Sequence, residues 1–461
     1  MEPSVAPGRE PPWWRQEAPP DPATPPLEGD VAADVAIVGG GYTGLWTALT
    51  LKRREPALRV VLVEADLCGD GPSGRNGGFL HGLWSSLVRL RDSLGDESAL
   101  RVARAADGAI PAVAELGDDV WLMRAGMLQV STAATQDAAL DAALDAAREL
   151  GVEAEAVPLS GAEVAERCRS PRFRRGVFFR DGASVQPARL VRALRRAALD
   201  AGVSVHERTR ATAIRSGAVE TAGGRIRAPE IVVATNAWMT GWRPVAGRLT
   251  NFGSYVVLTE PVPELLERIG WTGGEPIFDA RMFLHYFRTT ADGRVLMGSG
   301  SGPIGFGGRV DGRFTRDSAT AARAEAALRR LFPELASARV EHAWGGPIDV
   351  SADQLPFFGT APGGIHYGAG YSGNGVGPSW LGGQILASLA LGEDDEWSRL
   401  PLVNRRIRPL PPEPFRSFGG GLVRSATLAC EAAEEQGRQP RLTARAIRAL
   451  PRLLGLRIGT R

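Results

Sequence analysis

Residues Ala33 to Glu64, ADVAIVGGGYTGLWTALTLKRREPALRVVLVE, decide the fold. The opening ADVAIVG is a β-branched apolar run, the pattern of a strand buried on both faces. From Thr43 to Arg54 the period changes, with Leu45, Ala48 and Leu49 at helical spacing. Arg59 to Glu64, RVVLVE, reads as a second buried strand, so the stretch predicts a βαβ unit on a parallel sheet. Gly39-Gly40-Gly41-Tyr42-Thr43-Gly44 joins first strand to helix as G-x-G-x-x-G. In this motif Gly39 permits the tight turn, Gly41 lets a pyrophosphate approach the backbone, and Gly44 lets helix and strand pack closely. The helix start supplies unpaired N–H groups for the phosphates. Glu64 stands at the end of the second strand, placed to accept from ribose hydroxyls and to repel a 2′-phosphate. A dinucleotide site follows; NADP is disfavoured, and NAD and FAD both stay open.

Two further glycine-rich turns bear on that choice. Gly71-Pro72-Ser73-Gly74-Arg75-Asn76-Gly77-Gly78 follows the second strand and offers a hydroxyl, an Arg and an Asn as donors for a diphosphate or a ring carbonyl edge. Gly368-Ala369-Gly370-Tyr371-Ser372-Gly373-Asn374-Gly375 runs from a strand into a helix. FAD is long enough to span several such turns, whereas NAD rarely needs three.

The rest of the chain sets the frame. Its 461 residues allow two or three domains with full cores. A net charge of +2 argues against a nucleic-acid binder driven by bulk charge, and no nucleic-acid partner is expected. Cys68, Cys168 and Cys430 are far apart, which excludes a disulfide scaffold or structural zinc and fits a reducing, cytoplasmic setting. The apolar run Val35 to Leu51 is too short and too glycine-broken to span a membrane, so no transmembrane segment is predicted. Residues 1–30, with nine prolines, read as a loose arm without a secretory signal, although Trp13 and Trp14 suit docking on the body. Helices are predicted near 97–116, 136–150, 186–201, 316–331 and 376–391. Strands are predicted near 176–179, 203–207, 230–234, 253–259, 283–289, 294–298 and 365–369. The order α/β, mixed, α/β suggests two interleaved domains. Residues 405–461 carry twelve Arg against four Glu, a basic tail expected to cover an acidic body, with acidic lipid or RNA as the sharper alternative.

ADVAIVGGGYTGLWTA, GPSGRNGGF, IVVATNAW, YFRTTADGRVLMGSG, WGGPIDVSADQLPFFG and GAGYSGNGVGPS, in this order, resemble the FAD-dependent oxidoreductases of the D-amino-acid oxidase superfamily, over roughly residues 10–410. The branch they are most similar to is that of the γ-glutamylputrescine oxidase-like proteins. The resemblance implies an α/β fold: a Rossmann-like FAD-binding domain (31–117, 175–250 and 345–396) interleaved with a β-rich α+β substrate domain (118–174 and 251–344), between the arm and a basic extension, 397–461. It implies that Ser73, Gly74, Arg75, Asn76, Gly77 and Gly78, together with Gly370, Gly373, Asn374 and Gly375, lie at the flavin. A backbone contact near adenine falls at Ala211. The implied reaction is oxidation of an amine C–N bond by hydride transfer to flavin N5, giving an imine that water hydrolyses.

An ammonium cannot release hydride, so the amine must bind neutral, and a desolvated aromatic pocket favours that form. The aromatic candidates are Phe283, His285, Tyr286, Phe287, Trp344, Phe357 and Tyr371. His285 and Tyr286 occupy successive strand positions, so only one can face the flavin. His285, Tyr286 and Trp344 are the catalytic candidates, and Arg288 and Asp279 are expected to pair with each other. The position where α-amino-acid-oxidising relatives hold the substrate carboxylate with an Arg is Ile348 here, which favours an amine. Asp349 beside it is expected to be solvated or to attract a cationic tail. Trp344–Gly359 has no Cys, and His81 lies beyond the usual anchor, so FAD is expected to be non-covalent. The relatives' oxygen-activating lysine is replaced near Leu296, the sole lysine being Lys52; oxygen or another acceptor therefore takes the electrons. An amino-acid or N-methyl amino-acid dehydrogenase, an NAD enzyme without flavin and a catalytically silent flavin-binding module are the rival readings.

Overall fold

The computed structural model describes residues 3–5, 7, 11–453, 455 and 456; part of the arm and Arg457 and Arg461 of the basic tail lie outside them. Two sheets organise the chain. The first has six strands in the order Phe357–Ala361, Ile365–Ala369, Glu230–Val233, Val35–Val38, Val60–Val63, Ser204–His206. Its five inner pairings include only one antiparallel, at the 357–361 edge. Val35–Val38 and Val60–Val63 are buried at every position, as their unbroken apolar runs require. Helices Tyr42–Arg54 and Pro378–Leu391 pack on each other over this sheet, joined by Gly383, whose added Cβ would lie 2.6 Å from that of Trp46.

The second sheet has eight strands: Val340–Ser351, Leu249–Thr259, Val295–Ser299, His285–Thr289, Ile277–Asp279, Met127–Ser131, Arg175–Phe179, Ala156–Leu159. It is antiparallel except where Ile277–Asp279 runs beside Met127–Ser131. The expected α/β architecture with a second, β-rich unit is therefore present. Sheet membership moves two expected boundaries, because Arg175–Phe179 and all of Val340–Ser351 belong to the second sheet. The helix expected over 97–116 is broken at Ala106–Gly108 into Asp96–Ala105 and Ala109–Ala114. Trp380 fills the space beside Gly108, where an added Cβ would come within 2.2 Å of its ring.

Both chain ends depart in part from their readings, although Trp13 and Trp14 dock on the body as expected. The arm is not loose: Trp13–Glu17 forms a short helix, Trp14 is fully buried, and Leu27 donates to Thr209 while Thr24 donates to Glu207. The buried ion pair Arg195–Glu207 holds this run, with Arg195 also donating to the Pro22 carbonyl. The prolines do not prevent order because side chains of the body satisfy the backbone. The tail folds into two packed helices, Phe415–Glu434 and Leu442–Leu453. Its contacts run in both senses: Arg405 pairs with Asp353 of the body as expected, while the tail's Glu431 and Glu435 pair with Arg281 and Arg330 of the body.

Candidate active site

The three glycine turns converge. The Tyr42 amide donates to Ser73 Oγ (3.0 Å), tying the first turn to the second. Thr43 Oγ1 donates to the Tyr371 hydroxyl (2.9 Å), tying the first to the third. Gly39 has φ +114°, and a Cβ on Gly44 would stand 1.9 Å from the Gly39 carbonyl oxygen, so neither tolerates a side chain. Glu64 accepts from the amides of Gly40 (2.7 Å) and Asp66 (3.0 Å), and burial raises its pKa.

The second turn is held from the side of the eight-stranded sheet. Three consecutive carbonyls each take one donor: Arg75 from Trp344 Nε1 (2.8 Å), Asn76 from Trp14 Nε1 (2.9 Å), Gly77 from Arg288 Nε (2.6 Å). Asn76 spends its own amide inside the turn, donating to Ser73 O (2.8 Å) and accepting from Gly78 N (2.8 Å). Asn76 therefore shapes the loop with its side chain, and its expected role as a free donor gives way to that, whereas Ser73 Oγ accepts from Tyr42 N and keeps its own hydroxyl proton to donate. Arg288 is fully buried without a carboxylate. It donates to the Gly77 and Val185 carbonyls, stacks 5.0 Å from the Trp14 ring, and burial lowers its pKa to about 9. The expected Arg288–Asp279 pair does not form.

The third turn hangs on Asp349. This carboxylate is fully buried and accepts from Gly370 N (2.5 Å) and Asn236 Nδ2 (2.9 Å), and burial raises its pKa to about 6. It is neither solvated nor facing a cationic tail, contrary to the reading of the sequence. In Val340–Ser351 side chains alternate, and the one inward carboxylate finds the strained turn at Gly370 (φ +79°) and Ser372 (φ +54°).

Between the sheets lies a cavity of about 960 Å³. Its walls include Arg75–Gly77, Ser372–Asn374, Trp344 and Tyr286, and the tail helices add Phe415 and Leu422. Tyr286 faces this space: its hydroxyl meets Ser254 Oγ at 2.7 Å, and burial raises its pKa to about 12. Its ring lies against Gly298 and Gly77, where an added Cβ would come within 2.1 and 2.8 Å of it. His285 points the other way, with Nδ1 2.8 Å from Asp279 Oδ2, and burial lowers its pKa. Strand alternation separates the two, so His285 is withdrawn as a substrate contact. Of the other aromatics, Phe283 lines the cavity, Phe287 packs on Trp271 and Phe332, Phe357 packs on Tyr367, and Tyr371 braces Thr43. Ile348 also lines it. Ala211 begins a strand of a separate four-stranded sheet. The backbone hydrogen-bonded to that of Glu64 belongs to His206 and Thr209, through Glu64 N to His206 O and Thr209 N to Glu64 O.

The residues fit FAD. A Cβ on Gly41 would approach Ser73 Oγ to 2.9 Å, so glycine is what lets the first and second turns come this close. The helix start at Gly41 and the Glu64 carboxylate suit phosphate and ribose, and the cavity beside Arg75–Gly77 suits a ring system. The fold and site define a flavoprotein of the two-domain, dinucleotide-binding kind. Residues 34–389 match the FAD-dependent oxidoreductase (DAO) family, and the chain belongs to that family. It is 32% identical over 437 residues to the probable oxidoreductase OrdL of Rhizobium meliloti (strain 1021), covering 90% of this chain and 94% of that one. It is 29% identical to the gamma-glutamylputrescine oxidoreductase of Escherichia coli (strain K12), covering 81% and 88%. The fold is shared with glycine oxidase from Geobacillus kaustophilus: TM-score 0.67, 22% identity, 82% of this chain and 99% of that one. The chain is thus an FAD-dependent oxidoreductase.

Proposed function

We propose that this enzyme oxidises the C–N bond of an amine of the γ-glutamylputrescine or polyamine type, using non-covalent FAD, to an imine that hydrolyses. Bound FAD supplies a two-electron acceptor for hydride from the carbon next to nitrogen. The chain's part is to bind the amine neutral, orient it and keep water away. One observation carries the reading: the strand segment Gly346 to Ile348 beside the third turn contributes no cation of its own, the charged side chain against Gly346 being Arg75 of the second turn, whose Nε donates to the Asp70 carbonyl. Tyr286 and Ser254 supply the polar contact for the nitrogen, and Phe79, Phe283 and Trp344 supply the desolvated surroundings. Away from that strand, the Glu434–Arg448 ion pair and Arg416, itself paired with Glu413, bring both signs of charge to the lining, where the distal zwitterion of a γ-glutamyl amine would exchange partners with them.

Anaerobic mixing with a panel of amines and amino acids tests this. γ-Glutamyl amines and polyamines are expected to bleach the flavin absorbance rapidly, and preferential bleaching by α-amino acids overturns the reading. Because the reactive form is neutral, kcat/KM is expected to rise about tenfold per pH unit below the substrate's ammonium pKa, near 10.4 for an alkylamine. A flat profile between pH 7 and 9 contradicts a neutral-amine requirement. Tyr286→Phe keeps the ring against Gly298 but loses the hydroxyl, and is expected to lower kcat/KM about tenfold with little change in melting point.

The electron acceptor is proposed to be other than oxygen. Lys52, the sole lysine, donates to the carbonyls of Pro56 and Leu58 beyond the first helix, and Leu296 is buried beneath Trp344 and Trp14. Slow reoxidation of the reduced enzyme in air is expected; fast reoxidation makes it an oxidase. Cys68, Cys168 and Cys430 are buried outside the cavity lining, and His81, which lines it, is tied by Nδ1 to Gly82 O. Acid precipitation is therefore expected to leave the yellow colour in the supernatant.

A further inference from the structure

The two tail helices carry an apolar face turned away from the protein. On Phe415–Glu434 it consists of Phe415, Phe418 and Leu422, spaced i, i+3, i+7. On Leu442–Leu453 it is Leu442, Ala446, Ala449 and Leu453, spaced i, i+4, i+7, i+11, all exposed. The exposures are large: Phe418 74%, Leu442 78% and Leu453 80%. Isolated exposed leucines need no explanation, but an outward stripe on two packed helices does.

Charge is sorted on the same elements. Between Pro414 and Leu456 the acids are Glu431, Glu434 and Glu435; Glu431 and Glu435 pair with Arg281 and Arg330 of the body, and Glu434 pairs with Arg448 of the second tail helix. Arg438, Arg441, Arg445 and Arg452 are exposed. Arg441, Arg445 and Arg452 flank the leucine stripe on one side of the helix. The outer surface thus joins aromatic and aliphatic side chains to unopposed positive charge. That is the makeup of a helix lying in the interface of an anionic bilayer, and no helix among the described residues is long and apolar enough to cross one.

The geometry points to the C-terminal helix pair as a docking surface for an anionic lipid bilayer, holding the enzyme peripherally with the cavity opening toward the lipid. Phe415, Leu422, Leu450 and Arg452 both belong to this surface and line the cavity, so docking brings the bilayer to its mouth. The occupant is a lipid surface rather than a second copy, because two copies would bring four like-charged arginines against four.

Flotation of the full-length, FAD-loaded protein with phosphatidylcholine vesicles, with and without phosphatidylglycerol, tests this. Binding is expected with the anionic vesicles and is expected to weaken at high salt. Phe418→Ser combined with Leu442→Ser and Leu453→Ser, and separately Arg441→Glu with Arg445→Glu, are each expected to lower the bound fraction at least about tenfold. None of these five residues lines the cavity, so flavin content, melting point and turnover of a soluble amine are expected to stay unchanged. Absence of binding to anionic vesicles at low salt overturns the proposal. So does equal binding to neutral vesicles, a wild-type dimer that the serine variant dissociates, or tighter binding to RNA than to the anionic vesicles.

Discussion

Arg288→Met is expected to yield protein that purifies with little flavin and melts about 4 °C lower. The Arg288 guanidinium is fully buried and satisfied by carbonyls alone, Gly77 O at 2.6 Å and Val185 O at 2.6 Å, with the Trp14 ring against it. A hydrogen bond from a charged donor contributes about 1.5–3 kcal/mol, and two orphaned carbonyls add a desolvation cost. A loss of about 3–5 kcal/mol follows, less whatever is regained by removing an expensively buried charge. The regain is limited because the carbonyls were placed for a cation. Without Arg288 the Gly77 carbonyl is free to turn toward the cavity, and the neighbouring peptides lose the orientation that Trp344 and Trp14 enforce on Arg75 and Asn76. Flavin-to-protein ratio and thermal melts, with and without added FAD, check this. A variant that keeps full flavin and melts within about 2 °C of wild type shows the contact to be dispensable. Arg288→Lys separates charge from geometry: one ammonium cannot span both carbonyls as the guanidinium fork does, so partial flavin loss is expected.

The residues around this arginine mark where the sequence stops being legible. The βαβ unit was readable because its signals are local: unbroken apolar strands, a glycine turn and an acid at a set distance all lie within Ala33–Glu64. The closing strand Ile365–Ala369 and the helix after it were readable for the same reason. The twelve-residue strand Val340–Ser351 was not, because Gly345, Gly346 and Pro347 interrupt its pattern. They sit there because Tyr255 occupies the space beside Gly345 and the cavity needs room beside Gly346. Pro-rich composition concealed the order of residues 11–30, which comes from partners far along the chain, Asn76 at 62 residues and Glu207 and Gln186 at more than 160. At the site, the glycine turns could be seen but their braces could not. Trp14, Arg288, Ser254 and Asp349 act through contacts between distant segments, and nothing local distinguishes a carboxylate that clamps a turn from one in solvent. Alternation did limit His285 and Tyr286 to one inward residue, and only the pairing of Tyr286 with Gly298 decides which.

Asp349 offers the sharper test, because two substitutions that both remove its charge are expected to behave in opposite ways. Asp349→Ala strips the acceptor from Gly370 N and Asn236 Nδ2 and leaves both donors buried, a loss of about 2–4 kcal/mol together with most of the bound flavin. Asp349→Asn is expected to be tolerated. Asn236 Oδ1 is buried and has no hydrogen-bond partner among the described residues, so turning the Asn236 amide over lets that oxygen accept from the new amide while the new carbonyl accepts from Gly370 N. The pH dependence follows from the raised pKa of about 6 against an ordinary value of 3.8. A carboxyl whose folded pKa is raised holds its proton more tightly when folded, so its ionisation costs nothing below pH 4, costs progressively more between 4 and 6, and costs the full amount above 6. Asp349→Asn escapes that cost. Its stability relative to wild type should therefore improve as pH rises from 4 to 6 and level off above, by about 1–3 kcal/mol. Denaturant unfolding of the FAD-loaded proteins at pH 4.5 and 7.5 measures the difference. An Asn variant as unstable as the Ala variant at pH 7.5 means that the negative charge itself, rather than an acceptor for Gly370, holds the third turn against the flavin.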